Sequence, residues 1–145
     1  MKIVIAGAGA VGTHLSKLLS REHEDCVLID ERENCLNRLA DYDVMTYNAS
    51  PTSIQAQKEA GVAHADLFVG VTTEESTNIS ACIIAHALGA KKTVARIDNY
   101  EYLSPHNLKF FQELGIDSLV YPEVLAAIDI NNGLKLSWVR QRVDI

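Results

Sequence analysis

Residues 2–15 read KIVIAGAGAVGTHL. A short β-branched run meets three glycines, and a helical pattern follows. Gly7, Gly9 and Gly12 form G-x-G-x-x-G, a weak pattern when it stands alone. Here it follows a predicted strand, opens a predicted helix and begins a strand–helix–strand unit, the setting that gives it mechanical meaning. Gly7 permits a tight turn, Gly9 lets the backbone approach a pyrophosphate, and Gly12 lets helix and strand pack closely. The helix start offers N–H groups without intrahelical acceptors and a partial positive charge. Gly7, Ala8, Gly9, Ala10, Val11 and Gly12 are therefore expected to line the phosphates of a nucleotide. The alternative is a glycine turn that serves packing alone.

Outward from this loop the chain alternates short apolar runs with helical ones. Strands are expected at KIVIAG, CVLID (residues 26–30), DVMTYN (43–48), ADLFVGV (65–71), KTVARI (92–97) and SLVYP (118–122). Helices are expected over residues 11–22, over NCLNRLAD, over 51–60, over 75–88 with a stop at Gly89, and over 100–114 with a break near Pro105. For the helix over 51–60, Ser50 is placed to cap and Pro51 stands at the first helical position. A last helix is expected from Glu123. Six strands interleaved with helices predict an α/β fold, a Rossmann-like doubly wound parallel sheet with helices on both faces.

The totals agree with a single domain. The chain has 145 residues, 48% hydrophobic and 22% charged, and a formal net charge of -6. An acidic balance argues against nucleic acid or an anionic membrane as the main partner. No apolar run approaches the ~20 residues of a membrane span, and no signal-peptide pattern is read, so a cytoplasmic location without direct membrane insertion is expected. Cys26, Cys35 and Cys82 are odd in number and form no CxxC pair, which reads as reduced thiols rather than a disulfide framework.

In this fold ligands bind beyond the carboxyl ends of the strands. The residues predicted there are Gly7–Gly9, Asp30, Asn48–Ala49–Ser50, Thr72–Thr73, Arg96 and Pro122–Glu123. Asp30, with Glu31 beside it, ends the second strand where the fingerprint expects an acid. Its carboxylate can accept from both ribose hydroxyls and would repel a 2′-phosphate, favouring NAD or adenosine over NADP. Its other reading is a cap for the following helix. Arg32 reads as a solvated surface arginine in preference to a 2′-phosphate partner. Asn48, Ala49 and Ser50 are placed to flank adenine. Thr72 and Thr73 can reach phosphate or the far ribose, or simply cap the next helix. Arg96 carries a guanidinium fork suited to phosphate oxygens, unless it pairs with Asp98 or Glu123. Asn78 can reach the ligand or another helix. Cys82 and His86, four apart, read as packing rather than metal ligands, and His14, His23, His64 and His106 look solitary.

With these residues placed, the chain resembles the RCK/KTN nucleotide-binding domains of the Trk potassium-uptake regulators, over about residues 1–125. The resemblance rests on IAGAGAVGTHLSKLL, LIDERENCLNRL, ADLFVGVTTEESTNISACIIAHALGAKKTVARI and YPE. Its most specific part is Val71, Thr72 and Asn78 followed by Ala95, Arg96 and Ile97. The chain departs from the family at YNAS, where Asn48 stands in place of an acid. The resemblance implies a cytosolic regulatory domain that binds NAD(H) or ATP/ADP and changes the shape of its assembly with a membrane potassium transporter subunit. It also implies phosphate contacts from the glycine loop, a ribose contact from Asp30, and distal contacts from Thr72 and Arg96. Residues 1–122 would form the nucleotide-binding domain. Residues 123–145 would begin a crossover helix that pairs subunits into a homodimer or higher ring. No proton donor or acceptor with an evident orienting partner is read, so a regulator is expected rather than an enzyme. The alternatives are the cofactor half of an NAD-dependent oxidoreductase and a scaffold that binds nothing in the crevice.

Overall fold

The computed structural model describes residues 1–122. Glu123 and the expected crossover helix of 123–145, with the subunit pairing it implies, lie outside the described residues. The strands are β1 (Lys2–Ala6), β2 (Asp25–Asp30), β3 (Met45–Asn48), β4 (Leu67–Gly70), β5 (Thr93–Arg96) and β6 (Ser118–Val120). The α-helices are α1 (Ala10–Arg21), α2 (Glu33–Leu36), α3 (Ile54–Glu59), α4 (Glu75–Leu88) and α5 (Pro105–Glu113). All six strands run parallel in the order β3-β2-β1-β4-β5-β6. The doubly wound sheet expected from the sequence is thus observed. Its order reverses between β1 and β4, where a doubly wound sheet leaves a crevice at the carboxyl ends.

The burial explains why these runs become strands. Ile3, Ile5, Leu28, Val69 and Val94 face one apolar layer, and Val4, Ala6, Val27, Phe68 and Ala95 face the other. Helix α1 covers the first layer through Leu15 and Leu19. Helix α4 covers the second through Ala81, Cys82 and Ala85. Small residues let α4 approach closely: a Cβ on Gly70 would lie 3.1 Å from the Asn78 Cα. Strand β3 departs from the apolar reading. It lies at a sheet edge, and Met45 is 60% exposed.

Two boundaries differ from expectation for physical reasons. The helix expected over 51–60 begins at Ile54, and its cap is Ser53, whose Oγ accepts from the Ala56 N–H at 3.1 Å. Residues 51 and 52 form a turn closed by the Ser53 N–H on the Ser50 carbonyl. That leaves the Pro51 carbonyl outside the helix, where it accepts from the buried Gln57 amide at 2.9 Å. The helix expected over NCLNRLAD is a four-residue α2 followed by a 3-10 turn over Asn37–Leu39. The break expected near Pro105 within residues 100–114 is observed: a 3-10 turn, Tyr100–Leu103, precedes α5, and Pro105 stands at the first position of α5.

Asn78 resolves the choice left open in the sequence: it binds the fold to itself. Its Oδ1 accepts from the Thr72 N–H at 2.8 Å, and its Nδ2 donates to the Thr72 and Arg96 carbonyls, both at 3.0 Å. One buried amide thereby ties the end of β4, the body of α4 and the end of β5. Asn78→Ala would strand buried backbone groups, each worth roughly 1–3 kcal/mol when unsatisfied. Denaturant titration is expected to show a loss of about 2–4 kcal/mol, with the Thr72 amide losing exchange protection first.

Candidate functional site

At the carboxyl ends of β1, β2 and β4 the chain folds around a crevice of about 230 Å³. Asp30, Glu31, Arg32, Pro51, Thr72, Thr73, Glu74 and Thr77 line it. Of the residues expected there, Asp30, Glu31, Thr72 and Thr73 are brought to its wall. Arg32, Pro51, Glu74 and Thr77 are additional.

None of Gly7, Ala8, Gly9, Ala10, Val11 and Gly12 lines this crevice; the glycine loop lies beside it, joined to Asp30 through the Ala8 N–H, and its glycines serve mechanical roles that differ at each position. Gly7 has φ +120°, and a Cβ there would lie 2.8 Å from the Thr72 nitrogen. A Cβ on Gly12 would overlap the Gly7 carbonyl oxygen. These two glycines are demanded by the fold itself. Gly9 is not. Its backbone is extended, at φ -76° and ψ -162°, and its added Cβ would meet only the Arg32 Nη2, at 4.0 Å. The fold leaves open space where a side chain would fit, above the start of α1. Gly9 is also the N-cap residue of α1 and supplies no side-chain cap, so the first helical N–H groups of Ala10 and Val11 remain available to an anion.

Asp30 is 3% exposed yet ionised. Burial raises its pKa, but the hydrogen bonds from the Arg32 side chain and from the Ala8 and Arg32 backbone outweigh that, and the carboxyl is held below its ordinary value. Its Oδ2 accepts from the Ala8 N–H at 2.6 Å, fixing the glycine loop to the end of β2. Its Oδ1 accepts from the Arg32 N–H at 2.7 Å. The N-cap of α2 is Arg32, without a side-chain cap, so Asp30 closes the turn before α2 and is not the helix cap that the sequence offered as its other reading. Arg32 is not the solvated arginine expected: its guanidinium pairs with Asp30 through Nε at 3.0 Å and Nη2 at 2.9 Å.

The remaining expected residues separate into two groups. Thr72 is engaged internally: its Oγ1 lies 2.7 Å from the Asn78 Oδ1 and accepts from the Glu74 N–H at 3.2 Å. Thr73 is exposed at the crevice wall. Asn48, Ala49 and Ser50 are not among the lining residues, though Pro51, next in sequence, is. Asn48 is exposed, the Ala49 N–H donates to the Asp30 carbonyl at 3.1 Å, and the Ser50 Oγ lies 3.1 Å from the Thr52 Oγ1. Arg96 is half-buried at the end of β5, away from the crevice wall. Among the described residues it forms no ion pair, so the expected bridge to Asp98 is absent, and its buried Nε has no hydrogen-bond partner. The loop after β5 is held instead by Glu75, whose Oε2 accepts from the Asp98 and Asn99 N–H groups at 2.6 and 2.8 Å. Glu75 was not singled out from sequence, because its role depends on residues more than twenty positions away.

Cys82 is buried, and its thiol donates to the Val94 carbonyl at 3.3 Å. Burial pushes its pKa up to about 12, so it is an inert packing residue. Among the described residues no cluster of three His, Cys, Asp or Glu side chains could hold a metal, and no helix is long and apolar enough to cross a membrane.

The TrkA-N domain family model matches residues 3–122. The Trk system potassium uptake protein TrkA of Haemophilus influenzae is 39% identical over 133 residues, covering 90% of this chain and 29% of that protein. The chain thus spans less than a third of that relative's length. Among solved structures, the TrkA-N domain of inner membrane protein ybaL from Escherichia coli superposes with a TM-score of 0.72 at 17% identity, over 93% of this chain and 95% of that one. The GsuK channel bound to NAD superposes with a TM-score of 0.67 at 16% identity, over 82% of this chain and 21% of that one. At these identities the two structures attest the fold.

Two outcomes follow from the site geometry. Gly9→Ala should leave stability within about 0.5 kcal/mol, whereas Gly12→Ala should destabilise by about 2 kcal/mol or more through the forced overlap; thermal melts compare them directly. A carboxylate with a lowered native pKa adds stability above its unfolded pKa, lost as pH falls through the native value. Asp30→Asn should therefore be destabilised relative to the parent at pH 7. The gap should close on acidification below about pH 4, as read from stability curves of both proteins.

Proposed function

The chain belongs to the TrkA-N domain family, and on that premise we propose that it is a regulatory nucleotide-binding domain of a Trk-type potassium uptake system. The ligand is NAD(H), or alternatively ATP or ADP. The observation that carries this reading is the pairing of Gly9 with Asp30. A glycine that the fold does not require stands open above the start of a 12-residue helix. A buried ionised carboxylate stands beside it. The first suits a pyrophosphate and the second a ribose. The relatives' name ties the family to potassium uptake. NAD in one GsuK structure and ADP in another support both nucleotide classes as ligands.

In this reading Gly7 to Gly12 take the phosphates and Asp30 the ribose, with Glu31 at the rim. Asn48, Ala49 and Ser50 flank the adenine side. Thr72, Thr73, Arg96 and Glu123 contact the distal part of the ligand. Arg96 supports this by its unpartnered Nε, a buried donor without an acceptor among the described residues. Residues 123–145 pair subunits into a homodimer or higher ring. The partner is a membrane potassium transporter subunit, met at the cytoplasmic face. The domain acts as a sensor rather than an enzyme. The name of the relatives, potassium uptake proteins, supports this reading. Nucleotides that contact the distal wall differently would favour different assembly shapes, through couplings of roughly 1–3 kcal/mol.

Thermal unfolding against NAD, NADH, NADP, ATP and ADP tests the reading, with Asp30→Ala and Gly9→Ala alongside. A ligand at about 100 times its dissociation constant adds about 2.7 kcal/mol. Stabilisation by NAD(H) or adenine nucleotides, absent with NADP and reduced in both variants, is expected. No shift with any nucleotide would reduce the crevice to packing and leave a scaffold.

A further inference from the structure

Asp30 has its hydrogen-bonding capacity filled before any ligand arrives. An ionised carboxylate offers about four acceptor directions. Two are taken by backbone donors that the fold fixes, the Ala8 N–H on Oδ2 and the Arg32 N–H on Oδ1. The other two are taken by one edge of the Arg32 guanidinium, Nε on Oδ1 at 3.0 Å and Nη2 on Oδ2 at 2.9 Å. A ribose presents its 2′- and 3′-hydroxyls in the same manner, as adjacent O–H donors, one for each carboxylate oxygen. The guanidinium occupies the acceptor positions that a diol needs. It also helps line the crevice mouth, and its Nη2 is the atom nearest the empty Cβ direction of Gly9.

The arrangement differs from a structural salt bridge in one respect. Asp30 is buried, but the Arg32 side chain is 53% exposed, so the cation can swing into water while the carboxylate stays in place. The backbone contacts to Ala8 and Arg32 survive that swing, and the glycine loop keeps its anchor. The exchange therefore costs one half-exposed bidentate pair and no refolding.

We propose that Arg32 is an internal competitor for the ribose subsite: its guanidinium fills Asp30 in the free chain and must leave for a nucleoside diol to enter. The inference rests on the nucleotide-binding reading above and adds a specificity-setting residue to it. Arg32 lowers the affinity for every ligand that uses the diol and has no such effect on one lacking it. A ligand without the two hydroxyls makes no claim on the carboxylate and leaves the guanidinium where it is.

The test is an NMR titration of the full chain with adenosine and with 2′,3′-dideoxyadenosine, using wild type, Arg32→Ala, Arg32→Gln and Asp30→Ala. Adenosine carries no phosphate, so contacts between Arg32 and phosphate do not enter. Arg32→Ala and Arg32→Gln are expected to tighten adenosine about three- to tenfold, the scale of a half-exposed bidentate pair. Dideoxyadenosine should stay within about twofold, because it makes no claim on the carboxylate. A general loosening of the loop would move both ligands together. Adenosine binding that is lost in Asp30→Ala but unchanged or weakened in both Arg32 variants would overturn the competitor and leave the nucleotide-binding reading intact. Equal tightening of both nucleosides would do the same. Binding of adenosine by the Arg32 variants but not by wild type would support the competitor in its strongest form. Absence of binding by every protein, with adenosine, ADP and NAD alike, would overturn both.

Discussion

The carboxylate of Asp30 joins three things that the chain must hold together: the turn from β1 into α1, the end of β2 and the entry to α2. A buried charge is tolerated only when its lone pairs are met, and here four donors from Ala8 and Arg32 meet them. The turn it anchors has no slack. Gly7 lies in a left-handed region against the Thr72 backbone, and Gly12 packs where a methyl group would collide with the Gly7 carbonyl. Fixing Ala8 to Asp30 therefore sets the start of α1, and with it the direction of the helix's free N–H groups. The electrostatics and the sterics of the site come from a single arrangement.

A second fastening mirrors the first across the reversal of the sheet. Asn78 holds the end of β4 to that of β5, as Asp30 holds the end of β1 to that of β2. The two differ in chemistry for a reason. The Asn78 amide is neutral, so it can be 1% exposed and satisfied wholly by backbone and hydroxyl groups of its own chain. Asp30 is charged and keeps one partner that can be exchanged. On one side of the crevice the Asn78 amide is thus spent on the fold, leaving the exposed Thr73 to face the crevice, while the other side retains an acceptor pair whose present occupant, Arg32, reaches solvent.

What was legible in the sequence follows the range of the forces involved. The glycine fingerprint, the apolar strands and the stop at Gly89 are local patterns, and the sheet order follows once they are placed. Asp30 was legible because the fingerprint fixes its distance from the glycines. Ser50 was misread as a cap because Ser-Pro is a strong local signal. The buried Gln57 amide overrides it by taking the Pro51 carbonyl. The Arg32 pairing was missed because an exposed arginine two residues past a strand has no periodic signature, and only the tight turn after Asp30 brings the guanidinium back. Glu75 was hidden by sequence distance; β3 was read as a strand, and only its edge position, which exposes Met45, was not.

The two walls bear differently on how ligand occupancy could be transmitted. A switch needs an element with two arrangements whose energies lie close together. The Thr72–Asn78 side has no such freedom, since moving it strands several buried polar groups at once. The glycine loop has little, because Gly7 and Gly12 admit one packing. The freedom on the described side of the crevice belongs to Arg32, which trades one set of partners for water or for a ligand's anionic part at small cost. A guanidinium released beside Glu31 and Glu74, which share the crevice wall, changes the local charge pattern without moving the backbone. At the end of β5 the half-buried Arg96 holds a donor unmatched among the described residues. Ligands long enough to reach it would differ from short ones in what they satisfy there, and that difference in contact is what a nucleotide sensor needs to tell one ligand from another.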